Sequence, residues 1–157
     1  MKNESILISI KIPTKSHIKK FISTRYGTEH TVSKKSMLGV IIISLLDKNV
    51  LRPEYSFENC NEEYIVHISE YYMNIKGFNL SVKTVKFLSI LIEKLFYEDL
   101  FMYMDLSISK FNVSAQEALG CFFKEYNISE DELNFDSVYK KYQRHCNFNI
   151  KSKKQKI

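Results

Sequence analysis

Residues 81–109 read SVKTVKFLSILIEKLFYEDLFMYMDLSIS, a stretch of 29 residues with neither proline nor glycine. Apolar residues recur along it every three or four positions, which is the spacing of one face of an α-helix. Further leucine and aromatic residues widen this stripe until most of the circumference is apolar, a pattern typical of a core helix. We therefore predict a long central helix over residues 81–110, capped by Ser81. The face that we expect in the core runs through Val85, Leu88, Ile92, Leu95, Met102 and Leu106.

The clearest strand signal in the chain lies near its N-terminus. Residues 6–12 alternate isoleucine with Leu7, Ser9 and Lys11, which is the two-residue period of a strand with one buried face. A second alternation follows later, and we predict a small sheet built from residues 6–12 and 64–72. An isolated ribbon of two strands is only marginally stable, which favours a homodimer that is formed through the first strand.

Between these strands lies a run of ten apolar or small residues, MLGVIIISLL, at residues 37–46. Its periodicity is compatible with either a buried helix or a strand. Ser33 and Ser36, just before the run, favour a helix because serine is a good N-cap, whereas the β-branched residues within it favour a strand. We predict a helix, which gives the N-terminal segment 5–48 the order strand, helix, helix.

The C-terminal part of the chain predicts a helical hairpin over residues 114–146. Ser114 can cap its first helix, and its second helix carries Val138 and Tyr142 on an apolar side. The last seven residues, 151–157, are polar and basic. We expect a flexible basic tail there, because these residues offer too little apolar surface to fold alone.

A chain of 157 residues suits one compact domain, which we place at residues 1–150. The chain contains only 4 Gly and 2 Pro, which argues against long flexible linkers. The predicted elements give an α+β fold that is mostly helical, with about five helices around the central helix and a small sheet.

The order strand, proline, helix, glycine, Ser-x-x-Ser and second helix resembles the ribbon-helix-helix family of DNA-binding proteins. The residues that carry the resemblance are IKIP at 10–13, Gly27, Ser33 and Ser36. The resemblance covers residues 5–48, which is less than a third of the chain.

This resemblance implies a DNA-binding surface in two parts. In the family, two chains pair their strands into a ribbon whose outward side chains read the major groove, and the N-terminus of the second helix binds phosphate. By position, the resemblance implies Ser9 and Lys11 as base-reading residues and Ser33, Lys34 and Ser36 as phosphate-binding residues.

Charge is distributed unevenly along the chain, whose formal net charge is +5. Residues 1–52 contain 10 basic and 3 acidic side chains, residues 53–136 contain 6 and 15, and residues 137–157 contain 7 and none. Two basic ends that flank an acidic middle indicate a polyanionic partner such as DNA. The alternative is that the basic ends pair with the acidic middle or are simply solvated.

The second helix of the C-terminal hairpin is the other candidate DNA-binding element. Lys140, Lys141 and Arg144 are interleaved with aromatic residues, as in the recognition helix of a helix-turn-helix. We expect these three side chains to contact phosphates or base edges. The alternative is an ordinary helical hairpin. Lysines of the tail would add contacts that carry no sequence information, and these are Lys151, Lys153 and Lys154.

The sequence contains no recognisable catalytic or metal-binding motif. Its 3 cysteines and 4 histidines lack the paired spacing of a zinc site, and an odd number of cysteines argues against a disulfide framework. Glu98 and Asp99 interrupt the apolar surface of the central helix. Such carboxylates can be catalytic, but we expect these two to face solvent or to pair with a basic group. We predict a protein that is not an enzyme and holds no cofactor or metal.

Charge layout and resemblance together predict a non-enzymatic DNA-binding or transcription-regulatory protein, of the general character of a small phage or mobile-element protein. The alternative is a protein-interaction or assembly factor whose acidic middle, residues 53–136, binds a basic protein partner. No apolar run is long enough to span a membrane, and no secretory signal is visible. We therefore expect a cytoplasmic protein that does not engage membranes.

Overall fold

The computed structural model describes residues 7–48 and 60–154, and for residues 149–154 it describes the backbone alone. As predicted, the fold is α+β and mostly helical. The chain divides into two compact units, Met1–Glu93 and Lys94–Ile157. In chain order the elements are β1 (Leu7–Thr14), α1 (Ser16–Tyr26), β2 (Glu29–Thr31), α2 (Met37–Leu45), β3 (Glu62–Ser69), α3 (Glu70–Lys76), α4 (Val82–Phe111), α5 (Ala115–Glu125) and α6 (Phe135–Lys154).

The Met1–Glu93 unit is built on a three-stranded mixed sheet in the order β1-β3-β2. β1 and β3 are antiparallel over their full lengths, and β2 adds to the other edge of β3 in the parallel direction. The two-residue period of the sequence places alternate side chains on one buried face, as predicted. That face carries Ile10, Ile12, Tyr64, Val66 and Ile68.

The second predicted strand ends earlier than expected. β3 stops at Ser69, and the prediction that it continues to Tyr72 was wrong, because the chain turns into α3 at Glu70. Leu7 opposite Ser69 is the last pair of the ladder among the described residues. The backbone beyond Ser69 therefore satisfies its hydrogen bonds within a helix. Gly77, with a φ of 84°, ends that helix in a conformation that glycine adopts readily.

Two features of the sheet were not predicted. β2 has only three polar residues and no visible alternation, and it forms because the open edge of β3 accepts it. Just after β2, the backbone N–H of Val32 donates to the carbonyl of His67 at 2.8 Å. β1 also continues through Pro13, since an edge strand tolerates a missing N–H. Ile6, the predicted start of this strand, lies outside the described residues.

The ambiguous run at residues 37–46 is a helix, as predicted. Ser36 is the N-cap of α2, and its Oγ accepts a hydrogen bond from the backbone N–H of Gly39 at 3.0 Å. Leu38 and Ile42 are buried at helical spacing. The β-branched residues of the run thus pack on a helix instead of a strand, because the cap starts the helix.

The central helix is α4, and its predicted bounds are confirmed to within one residue. Ser81 caps it by accepting a hydrogen bond from the backbone N–H of Thr84 at 3.1 Å. The predicted core face is correct up to Ile92 and wrong beyond it. Leu95 is half-buried, and Met102 and Leu106 are 58% and 46% exposed. The buried face of α4 consists of Val85, Leu88, Ile92, Phe96, Leu100, Met104 and Ser107.

The Lys94–Ile157 unit packs α5 and α6 with the second half of α4. Ser114 and Glu117 form a reciprocal capping box at the start of α5, with hydrogen bonds of 3.2 and 2.8 Å. These hydrogen bonds hold the pKa of the Glu117 carboxyl below its usual value. Asn127, with a φ of 51°, turns the chain out of α5. The apolar residues that close this core are Ala118, Leu119, Phe122, Phe123, Ile128, Val138 and Tyr142.

The predicted C-terminal hairpin is present, but its second helix is longer than expected. We predicted that it would end near residue 146, whereas α6 continues to Lys154. The first four residues of the predicted tail are therefore helical, since a helix that is already nucleated extends at little further cost. Residues 155–157 lie outside the described part of the chain. None of the described helices is long and apolar enough to cross a membrane.

Candidate functional site

The middle of α6 presents two cationic side chains to solvent. Val138 and Tyr142 are buried against the rest of their unit, so Lys140 and Arg144, which lie on the opposite side, are exposed. Neither cation forms an ion pair with any described residue. Lys140 and Arg144 are four positions apart and therefore lie on the same face of the helix, one turn from each other.

The same face continues toward the C-terminal end of α6. Positions 140, 144, 151 and 154 fall within a narrow arc when each residue of an α-helix turns the chain by about 100°. The arc extends over about 20 Å at 1.5 Å per residue. The backbone of Lys151, Lys153 and Lys154 belongs to the helix, although their side chains lie outside the described part. In all, α6 contains six basic residues and one acidic residue.

Lys141, the third predicted residue of this helix, points toward α4. Its Nζ donates to the hydroxyl of Tyr97 at 2.9 Å and lies 4.2 Å from the centre of that ring. A cation over an aromatic face is stabilised by the electron-rich ring. Lys141 is still exposed, so it can contribute to the field around α6, but its head group already has a partner within the unit.

The N-terminus of α6 is acidic and capped. Asn134 accepts a hydrogen bond from the backbone N–H of Ser137 at 2.9 Å, and the Glu130 carboxylate accepts one from the N–H of Phe135 at 3.1 Å. Asp136 stands in the first turn. A recognition helix of a helix-turn-helix contacts bases through its N-terminal residues. The helical hairpin is present, and two carboxylates, Glu130 and Asp136, lie at the end of α6 that such a recognition helix would turn toward DNA.

A groove of about 680 Å³ lies beside α4 in the same unit. Its apolar floor includes the exposed side chains of Met102 and Leu106, and Glu98 and Asp105 are its carboxylates. The hydroxyl of Tyr142 donates to Asp105 at 2.6 Å, and burial together with this hydrogen bond raises the pKa of Tyr142. Lys94 and His145 also line the groove, so its described surface is mainly apolar with two carboxylates and one lysine.

The two predicted acidic residues of α4 differ in their surroundings. Glu98 is exposed and lines the groove, as expected for a solvent-facing carboxylate, whereas Asp99 is half-buried and already has a partner. Among the described residues, no group of three or more His, Cys, Asp or Glu could hold a metal ion.

The exposed face of the sheet carries Ser9 and Lys11, the predicted base-reading residues. Ser9 lies opposite His67 in the ladder, and its Oγ is 3.0 Å from His67 Nδ1. The other ring nitrogen, Nε2, is 2.8 Å from the Glu29 carboxylate. Lys11 forms an ion pair with Glu63 at 2.9 Å. Both predicted residues thus share a face, but carboxylates accompany them there.

The N-terminus of α2 brings together the predicted phosphate-binding residues Ser33, Lys34 and Ser36. Ser36 already caps the helix, and its Oγ is also 2.9 Å from Nε2 of His30. Burial lowers the pKa of His30 from its usual value, so this imidazole is neutral near pH 7 and adds no positive charge. Ser33 accepts a hydrogen bond from the N–H of Lys35 at 3.4 Å, which is a weak turn contact.

Sequence reasoning missed the histidines of these surfaces. It considered His67 only as a metal ligand without the required spacing, and His145 also as one of the polar side chains interleaved along the last helix. In the structure, His67 bridges Ser9 and Glu29, and His145 packs on Phe101 with ring centres 4.9 Å apart. The alternation in β3 places His67 on the exposed face, but its partners follow only from the strand register. The Ser9 contact depends on the register between β1 and β3 and the Glu29 contact depends on β2, and neither was predicted.

Comparisons of this chain with protein-family models, with curated proteins and with solved structures found no match.

Proposed function

We propose that the protein binds DNA through the exposed basic face of α6. The observation that carries this proposal is that Lys140 and Arg144 are exposed and form no ion pair with a described residue. In the N-terminal part, Lys11, Lys15 and Lys19 pair with glutamates. The exposed Lys34 and Lys35 at the start of α2 form no ion pair with a described residue, so they are the comparison surface for the test below. Cations that have no internal partner can neutralise phosphates without first losing an existing contact.

The docking mode that we propose is lateral. The helix lies with the side of its middle and C-terminal part against the phosphate backbone, because its N-terminus is closed by Glu130 and Asp136. Such contacts position a protein on the duplex without reading its sequence. Arg144 is the residue that can add sequence preference, since a guanidinium can donate two hydrogen bonds to one guanine.

The test removes two positive charges from each of the two candidate DNA-binding surfaces and compares the resulting losses of DNA affinity. Lys140→Gln with Arg144→Gln removes two cations from α6, and Lys34→Gln with Lys35→Gln removes two from the start of α2. Fluorescence anisotropy with a duplex, over a series of salt concentrations, gives the affinity and its salt slope. We expect the α6 variant to lower the slope by about 1.8, at roughly 0.9 per phosphate contact, and the α2 variant to change it little.

An equal or larger loss for the α2 variant would contradict the proposal and favour the surface that the ribbon-helix-helix resemblance implies.

We also propose a homodimer, because in the ribbon-helix-helix family the first strands of two chains pair with each other. β1 lies at an edge of the sheet with β3 on one side, so its other side is the one that would pair with β1 of a second chain.

A second candidate function is supported by the groove beside α4. Its exposed Met102 and Leu106 and the carboxylates of Glu98 and Asp105 suit a basic, amphipathic segment of a protein partner. The same titration separates the two candidates. A protein that binds no duplex even at about 50 mM salt, where phosphate contacts are strongest, would leave the groove as the better explanation of the acidic middle.

A further inference from the structure

A cavity of about 170 Å³ lies in the Met1–Glu93 unit, where the end of β1 and the start of α1 meet α4. Its walls are mainly apolar, with Pro13 and Ile18 on one side and Ile90 of α4 on the other. It is distinct from the face of α6 and from the groove beside α4, because its described lining residues all precede Lys94.

The volume of the cavity limits the size of a ligand. An engineered apolar cavity of about 150 Å³ in another protein binds benzene. A cavity of about 170 Å³ therefore holds one ring or a short branched chain, together with a small polar group. Nucleotides and lipids are too large to be enclosed.

One polar group of the wall lacks a partner. Thr14 is only 3% exposed, and its Oγ1 has no hydrogen-bond partner among the described residues. The neighbouring hydroxyl differs, because Ser89 Oγ donates to the carbonyl of Pro13 at 3.1 Å. A buried hydroxyl without a partner is costly. This oxygen is fully enclosed, so it does not face the open space of the cavity and cannot contact a ligand there.

The charges around the cavity favour an anion. Lys15 Nζ and Glu93 Oε1 are 2.8 Å apart, so this pair contributes no net charge. Lys86, one α-helical turn from Ser89 and Ile90, is exposed and forms no ion pair with a described residue. Among the described lining residues, Lys86 therefore leaves one positive charge without an acidic partner at neutral pH.

We propose that this cavity binds a small apolar monocarboxylate of about the size of benzoate. The ring or branched chain lies between Ile18 and Ile90, and the carboxylate pairs with Lys86. Binding is reversible and noncovalent. In agreement with this, burial raises the pKa of the Cys60 thiol at the cavity wall, an effect that Lys15 only partly offsets, so Cys60 is a poor nucleophile near pH 7.

Cys60 provides a reporter for this proposal. Cys121→Ser with Cys146→Ser leaves Cys60 as the only thiol of the full-length chain. The rate at which iodoacetamide alkylates Cys60 is then measured at about pH 8 against increasing benzoate. We expect a saturable decrease of the rate, with a Kd on the order of 1 mM for so small a ligand. Benzyl alcohol and benzylamine, which have the same ring, should protect Cys60 at least about tenfold less well.

Two matched variants locate the carboxylate. Lys86→Ala should weaken protection by benzoate about tenfold, whereas Lys83→Ala, an exposed lysine of the same helix outside the cavity, should leave it unchanged. Ligand-observed nuclear magnetic resonance on the wild-type chain gives the same affinity without any cysteine change. No protection at about 10 mM benzoate, with no binding by resonance, would overturn the proposal. Equal protection by benzyl alcohol, or an equal effect of both lysine variants, would overturn the assignment of an anion.

Discussion

At the scale of single residues, the second half of α4 shows how a periodicity can identify a helix and still misplace its buried face. Nearly every side of this helix carries apolar residues, so more than one stripe fits the sequence. The rings of α5 select one of them, because Phe96 packs edge-on against Phe122 with centres 5.8 Å apart. Leu95, the neighbouring residue on the predicted face, is left half-buried.

This difference predicts unequal costs for two adjacent substitutions. Phe96→Ala should lower the free energy of unfolding by about 3–5 kcal/mol, because it removes a fully buried ring and leaves a cavity. Leu95→Ala should cost about 1–2 kcal/mol, because a half-buried side chain loses only part of that transfer energy. Urea unfolding followed by circular dichroism measures both. A larger loss for Leu95→Ala would restore the face that the sequence analysis predicted.

Three serines show which structural roles can be predicted from local sequence alone. Ser36, Ser81 and Ser114 were each recognised as N-caps from their position before an apolar run, and each accepts the expected backbone hydrogen bond. Capping depends on residues three positions away, so local sequence is enough to predict it. The contact between Ser9 and His67 joins residues 58 positions apart and depends on strand register, which local sequence does not contain.

At the scale of elements, the sequence was enough to predict whether each long segment is a helix or a strand. The residue at which each element ends depended on its contacts with other elements. β3 stops where the chain turns into α3 at Glu70, and β2 forms only because β3 has an open edge. The extension of α6 to Lys154 likewise lacks an apolar signal in the sequence. The basic face of α6 could be anticipated from composition, but that Lys141 turns to Tyr97 required the packing of α6 on α4.

Replacing each of two helical glycines by alanine should change the stability of the protein in opposite directions. In a helix interior, alanine is favoured over glycine by about 1 kcal/mol. Gly120 of α5 has open space where a Cβ would stand, so Gly120→Ala should stabilise the protein by about that amount. At Gly39 of α2, a Cβ would collide with the backbone of Ser33, whose nitrogen would be 2.7 Å away. We expect Gly39→Ala to cost about 1–3 kcal/mol despite its better helix propensity.

Thermal and urea unfolding of the two variants, side by side with the wild type, tests this contrast. Stabilisation by Gly39→Ala would mean that α2 does not pack closely against the turn at Ser33. A loss of stability for Gly120→Ala would mean that the exposed side of α5 contacts something that the described residues do not include.

At the scale of the whole molecule, the charge layout has two roles. Three lysines of the basic N-terminal segment pair with glutamates of the acidic middle, in the pairs Lys11–Glu63, Lys15–Glu93 and Lys19–Glu62. The acidic middle therefore compensates part of the N-terminal charge inside the first unit. The proposed DNA contact uses Lys140 and Arg144 of α6, which form no ion pair with a described residue.

This view predicts that the internal pairs stabilise the fold in proportion to their burial. Lys15 and Glu93 are 39% and 33% exposed, and Lys11 and Glu63 are 65% and 52% exposed, at nearly equal distances of 2.8 and 2.9 Å. Double-mutant cycles to alanine should give a coupling energy of about 0.5–1 kcal/mol for Lys15–Glu93 and about 0.3 kcal/mol or less for Lys11–Glu63. Repeating the cycles at about 1 M salt should reduce both values, since screening is strongest between exposed charges. Coupling that is absent from both pairs at low salt would show that these lysines are simply solvated. They would then be as available for contacts with DNA phosphates as the cations of α6.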